Sequence, residues 1–299
     1  MAEWWRKYVG KVDNAGVFFP EENWLELVSE NNFYLHTYRF HNPHPKAIIC
    51  CLHGMYSESN ESSHLAQRFF EEGFAVIAFD QEGHGKSGGP KGTILSLDTL
   101  ANDTISFIVK AKLHYPQKTP VFLMGLSMGG TVSVLVSMRR PDCIDGMLLC
   151  APSLAVNPEF EPFLQKLVRC LNFCCGCVRL TDIDSKLLCR NPESRNFFKE
   201  NPYNYVGKIN VKTAVAMIDG LEDLSSRFSQ VCVPFILFQG NSDKIVDPRE
   251  SKKFYEDCRS SDKEMVVYEE MYHDVYHEPE ILDIIEKCVF WLNQRTCID

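Results

Sequence analysis

No cluster of basic residues occurs along the chain, and 31 Lys and Arg against 40 Asp and Glu leave a formal net charge of −9. Phosphate backbones are held by a concentrated positive surface, so a nucleic-acid partner is excluded. Long apolar runs are missing as well. Met1–Gly10 has charges among its apolar residues and no continuous apolar core, so it reads as neither a secretory signal nor a membrane span. Phe160–Leu180 is richer in apolar residues, but Lys166, Arg169 and Arg179 interrupt it and it is too short to cross a bilayer. There is no internal repeat and no low-complexity linker. The loop Gly83–His84–Gly85–Lys86–Ser87–Gly88–Gly89 lacks the spacing of a nucleotide-binding P-loop, and no helix starts directly on it, which leaves a scaffold loop near a site mouth.

Cysteine is abundant instead. The chain has thirteen, an odd number, and Cys50, Cys51 and Cys150 sit in apolar strand-like runs, the mark of buried thiols rather than disulfides. A reducing, cytoplasmic setting is expected. Cys170, Cys174, Cys175 and Cys177 cluster without paired Cys-x-x-Cys knuckles and without a histidine, so no metal site is read there, and S-palmitoylation has only composition in its favour.

A chain of 299 residues, 45% of them apolar, is long enough for one sizeable core with an excursion. Asn32–Phe40 alternates polar and apolar residues as a half-buried antiparallel strand does. Ala47–Leu52, Ala75–Asp80, Val121–Leu126, Gly146–Cys150 and Val233–Gln239 are continuous apolar runs, the signature of strands covered on both faces, and helical stretches lie between them. Met265–Glu269 and a final helix from Pro279 to Asn293 close the pattern. The alternation predicts an α/β fold, a mostly parallel central sheet with helices on both faces. From Ser153 to Ser229 the rhythm stops, and short helical segments are broken at Pro158, Pro162, Pro192 and Pro202. The expected organisation is therefore a core formed by residues 1–152 and 230–299, with 153–229 inserted as a helical cap.

The strand Val121–Leu126 runs straight into Gly125–Leu126–Ser127–Met128–Gly129 and then a helix, which reads as a nucleophile elbow with Ser127 on the strained turn. A serine needs a base, and the base needs an orienting acid. After the strand Val233–Gln239, two carboxylates compete for the acid's place. Asp247 precedes Pro248 with Glu250 three residues on, a helix cap with a capping-box partner, so Asp243, nearer the strand end, is the candidate acid. His273 follows the last strand closely and is the candidate base, while His277 abuts the final helix and is read as a residue at helix entry or supporting the base. The oxyanion then falls to the backbone N–H of Met128, at the helix start, and of Met55, in the loop His53–Gly54–Met55, with His53 read as a buried brace. The order Ser127, Asp243, His273 is that of the α/β-hydrolase fold.

Taken together, His53–Gly54, Gly83–Ser87, Gly125–Gly130, Gln239–Pro248 and Tyr272–His273 closely resemble the monoacylglycerol lipase and lysophospholipase family of serine hydrolases, from about Trp24 to Leu292. The resemblance implies a cap over the sheet, an ester substrate with one acyl chain, and no metal or organic cofactor. It carries catalytic roles onto Ser127, Asp243 and His273, and oxyanion roles onto Met55 and Met128. Leu126 stands where the family often has histidine, and Tyr56–Asn60 where it often has a Gly-Glu-His run.

The expected reaction is hydrolysis of a small lipid ester, foremost monoacylglycerol to fatty acid and glycerol, through an acyl-enzyme on Ser127. Lysophospholipase, soluble carboxylesterase and thioesterase chemistry share the same residues, and an acyltransferase or a catalytically idle ligand receptor are the remaining readings. The amphipathic stretch Phe160–Leu180 is open to three roles: a cap helix facing the acyl pocket, a helix resting in the membrane interface to give peripheral contact, or a plain buried helix.

Overall fold

The structure, a computed structural model, describes residues 18–156, 162–175, 178–180 and 184–296. It begins with short strands. β1 (Glu21–Glu22) pairs antiparallel with β4 (Thr37–Phe40), while β2 (Leu27–Val28) and β3 (Tyr34–Leu35) form a separate antiparallel pair. The single strand expected over Asn32–Phe40 is thus divided at His36, whose N–H is drawn to the Ser87 hydroxyl (2.8 Å) instead of a sheet partner.

The continuous apolar runs form the covered strands β5 (Ile48–Leu52), β6 (Ala75–Phe79), β7 (Val121–Leu126), β8 (Gly146–Cys150) and β9 (Phe235–Gly240), with β10 (Lys263–Tyr268) at the edge. Their order in the 8-stranded sheet is β1-β4-β6-β5-β7-β8-β9-β10, parallel from β6 to β10 and antiparallel only where β4 and β1 join. Alternation divides each run between two cores. Cys50, Ile77, Leu123, Leu149 and Leu237 face a layer built on α2 (Leu97–Lys112), α3 (Met128–Arg139) and Phe254, after α1 (Ser63–Glu71) has crossed to the other side. Cys51, Ala78, Met124, Cys150 and Phe238 face the layer that contains Leu65 and Phe69 of α1 with Ile284 and Trp291 near the C-terminus. Cys50, Cys51 and Cys150 are buried free thiols, as their apolar settings predict.

Between β8 and β9 come α4 (Pro162–Cys175), α5 (Pro192–Glu200) and α6 (Val211–Ser225). Val168 of α4 is buried against Val211 and Ile218 of α6, and Arg169 bridges Asp219 (2.8 Å) and Glu222 (2.7 Å) on that helix. Cys170 is exposed; Cys177 and the side chains of Cys174 and Cys175 lie outside the described residues, as does Phe160. After β9, α7 (Pro248–Asp257) and α8 (Ile281–Thr296) complete the fold. The last helix starts two residues later than Pro279 suggests, because Val275–His277 forms a 3-10 turn and Pro279 serves the turn that follows it. Among the described residues no helix is long and apolar enough to cross a membrane.

Candidate active site

At the end of β7 the backbone turns sharply into α3, with Ser127 at φ 52° and ψ −115°. An L-residue at such a φ is strained, and the neighbours hold it there. Ser127 N–H donates to the Cys150 carbonyl (3.0 Å), and its own carbonyl accepts from Thr131 N–H (3.1 Å) and Ser153 N–H (3.2 Å). The crossing leaves no room for side chains on either flank. A Cβ on Gly125 would meet the Gly129 carbonyl carbon and oxygen at 2.3 Å, and one on Gly129 would meet the Leu52 carbonyl oxygen at 2.1 Å. At Gly54 the case differs: a Cβ there would lie 3.6 Å from Ser127 Cβ, an ordinary contact, so the close approach of that loop does not itself demand glycine.

His273, in the loop after β10, is buried, and its Nδ1 lies 2.8 Å from Asp243 Oδ2. Asp243 is fixed from several directions. Its Oδ1 accepts from Ile245 N–H (2.8 Å) and Val246 N–H (3.1 Å), and its Oδ2 also accepts from Gln239 Nε2 (3.1 Å). Burial disfavours a charged His273, but the Asp243 carboxylate, by charge and by hydrogen bond, and the charge of Asp274 outweigh it and raise the pKa above the ordinary histidine value. With Nδ1–H donated to Asp243, Nε2 is the ring's free acceptor.

Asp247 does what its spacing with Pro248 suggested. It caps α7, accepting from Arg249 N–H (2.9 Å), and the Arg249 side chain grips the same carboxylate and holds its pKa low. The capping-box bond to Glu250 is not made among the described residues; the guanidinium takes its place. His277 pairs with Asp274 (2.7 Å), and although burial opposes its charge, that carboxylate lifts its pKa to about 9. His53 is a brace: its Nε2 accepts from Gln81 N–H (2.9 Å), so Nδ1 carries the proton and donates to the Gly54 carbonyl (2.8 Å). Burial pushes its pKa down to about 4.

Ser127 and His273 line one cavity of about 510 Å³ together with Gly54, Met55 and Leu126. Neither Met55 N–H nor Met128 N–H is spent on another partner among the described residues, the latter because it opens a helix. Leu126, in place of a polar residue, is packed into the core under the elbow. Tyr56 and Ile245 also line it, and much of the remaining wall comes from residues between β8 and β9, among them Ser185, Leu188, Phe198, Tyr205 and Val206. None of the described side chains of α4 lines it. Glu61, Ser57 and Asp274 supply a polar end.

Three residues escape sequence reasoning. Asp80, fully buried, collects Tyr38 Oη (2.8 Å), Ser59 N–H (2.8 Å) and Lys86 N–H (2.8 Å), and so ties the Gly83–Gly89 loop to the loop after β5. A Cβ on Gly85 would fall 2.0 Å from its Oδ2, which accounts for that glycine. Glu58 accepts from Asn201 Nδ2 (3.2 Å) and Glu61 from Asn204 Nδ2, so two acidic residues anchor the chain after α5.

The chain that carries this strained serine turn and this buried Asp–His pair matches the family model of serine aminopeptidase S33 over residues 43–280. The chain belongs to that family. This S33 member is similar to monoglyceride lipase of Rattus norvegicus, 28% identical over 93% of each chain, and to caffeoylshikimate esterase of Arabidopsis thaliana, 28% identical over 84% of this chain and 79% of the other. Among solved structures, monoacylglycerol lipase of Paleococcus ferrophilus superposes with a TM-score of 0.78 at 27% identity, covering 87% of this chain and 99% of that one. The S33 member is thus a monoacylglycerol lipase-like α/β-hydrolase and an ester hydrolase.

Proposed function

We propose that Ser127, His273 and Asp243 form a catalytic triad that hydrolyses the ester of a single-chain lipid, monoacylglycerol to fatty acid and glycerol. The observation that carries this reading is the meeting of Ser127 and His273 on one cavity, with Asp243 2.8 Å from the base. His273 Nε2 takes the Ser127 proton as Oγ attacks the ester carbonyl, and Asp243 stabilises the imidazolium that forms. The tetrahedral oxyanion is held by the N–H groups of Met55 and Met128, each such donor contributing about 3 kcal/mol at the transition state. Imidazolium then protonates the leaving alcohol, and water, deprotonated by His273, releases the fatty acid from Ser127. Residues 153–229 act as a cap on a core of 1–152 and 230–299. Val206, on the cavity wall and 61% exposed, gives that cap an apolar lip for peripheral contact with the lipid surface that delivers the substrate.

A second reading, esters of a flat phenolic acid, is favoured by Tyr56, Phe198 and Tyr205 on the cavity wall and by the similarity to the Arabidopsis esterase. Monoacylglycerols, lysophospholipids and phenolic esters assayed side by side, with and without liposomes, separate the two. Ser127→Ala is expected to fold and to lose ester hydrolysis by several orders of magnitude, together with labelling by a fluorophosphonate. Retained turnover of short p-nitrophenyl esters would remove Ser127 from the mechanism.

A further inference from the structure

A second cavity, of about 340 Å³, shares its walls with the first. Residues Asp184, Ser185 and Leu188 line the active-site cavity, whereas Lys186 and Leu187 line the other; His273 and Ile245 face the first, Tyr272, Ser242 and Lys244 the second. Four cationic residues line this second space: Lys186, Arg190, Arg195 and Lys244. Arg190 is neutralised by Glu278 (2.5 Å) and Glu280. Among the described residues no carboxylate pairs with the other three. Arg195 goes further, for its Nε is buried without a hydrogen-bond partner, and its Nη2 reaches only the Arg190 carbonyl, at 3.4 Å. That Nε is closed to solvent, so what Arg195 brings to the cavity it lines is the delocalised charge of a guanidinium with no carboxylate partner among the described residues.

On a chain of net charge −9, three uncompensated cations in one concavity run against the prevailing sign. We propose that this cavity binds a phosphate monoester. A phosphate monoester carries about −1.5 to −2 at neutral pH and offers three oxygens to a guanidinium and two ammonium groups, so it offsets more of the three positive charges than a lone carboxylate, with a single charge and two oxygens, does. The space also admits a small organic body on the phosphate. Bound there, the ligand bridges the 186–195 segment and the Ser242–Lys244 loop, and so fastens a wall of the active-site cavity. The site stands whichever ester the first cavity takes.

Calorimetric titration of the full chain with glycerol 3-phosphate, and co-sedimentation with phosphatidylcholine vesicles with and without phosphatidic acid, test it. Saturable one-to-one binding of glycerol 3-phosphate that weakens with added salt points to a soluble ligand; retention only on phosphatidic acid vesicles points to a lipid headgroup. In either arm Lys186→Glu/Lys244→Glu and, separately, Arg195→Gln are expected to weaken binding at least tenfold, with p-nitrophenyl ester hydrolysis retained as the check on folding. Lys244→Gln, at an exposed position, replaces the double reversal should that protein not fold. Binding to neither probe, or binding unchanged by these substitutions, overturns the proposal.

Discussion

His273 feels two opposed pulls on its proton. Burial favours the neutral ring, while Asp243 and, further off, Asp274 favour the cation, and the carboxylates win. Asp243→Asn removes the nearest charge and lets burial dominate. The acid limb of kcat/KM is then expected to move to lower pH, because the base loses its proton more readily, while kcat falls on the order of 10³–10⁴-fold as the ring loses its tautomer and its stabilised cation. Asp247 offers the contrast. Its carboxylate serves the first turn of α7, so Asp247→Ala is expected to cost about 1 kcal/mol in urea unfolding and to leave kcat/KM unchanged. The reverse pattern would exchange the two assignments. The capping role of Asp247 was legible because capping follows from local spacing: Pro248 beside Asp247 is a signal written in adjacent residues. Asp80 was not, since its meaning depends on Ser59 and Lys86, donors that only the folded loops bring to one carboxylate.

Elements that are buried on both faces announce themselves, as β5, β6, β7, β8 and β9 do, because neither side allows a polar residue to interrupt the run. Short edge elements lack that constraint. Two-residue strands such as β1 leave no period to detect, and the break at His36 is set by Ser87, far along the chain. The helices between β8 and β9 were visible as helices, yet which of them meets the cavity was not. Phe160–Leu180 is rich in apolar residues, but α4 spends Val168 and Leu171 on the cluster it forms with α6, and the wall is built instead from Leu188, Phe198, Tyr205 and Val206. At the elbow the element geometry separates two glycines that the sequence presents alike. Gly125→Ala drives a Cβ to 2.3 Å from the rigid Gly129 backbone and is expected to destabilise by at least about 1–3 kcal/mol, whereas Gly54→Ala meets nothing nearer than 3.6 Å and leaves the thermal midpoint close to that of the parent. Equal midpoints for the two variants would mean that the turn relaxes freely.

On the scale of the whole molecule, the segment after α5 is tied to the core by the Tyr205 N–H to Tyr56 carbonyl bond (2.9 Å) and by Asn201 and Asn204 on Glu58 and Glu61. Both carboxyl groups are buried, and burial raises both pKa values, that of Glu58 to about 8, with the charge of Asp80 adding to the effect. The unfolded chain releases the Glu58 proton near 4.5, so between 4.5 and about 8 the folded state holds a proton that the unfolded state has lost. The stabilisation is therefore complete below that lower value and drains away as pH rises through the upper one. Glu58→Gln mimics the protonated acid and cannot titrate. Melting curves at pH 5 and pH 8.5 are expected to show a larger fall in midpoint for the parent than for Glu58→Gln, by several degrees, each kcal/mol corresponding to about 2–4 °C in a chain of this size class. Parallel falls in the two proteins would place the Glu58 proton elsewhere and leave the Asn201 tie indifferent to pH.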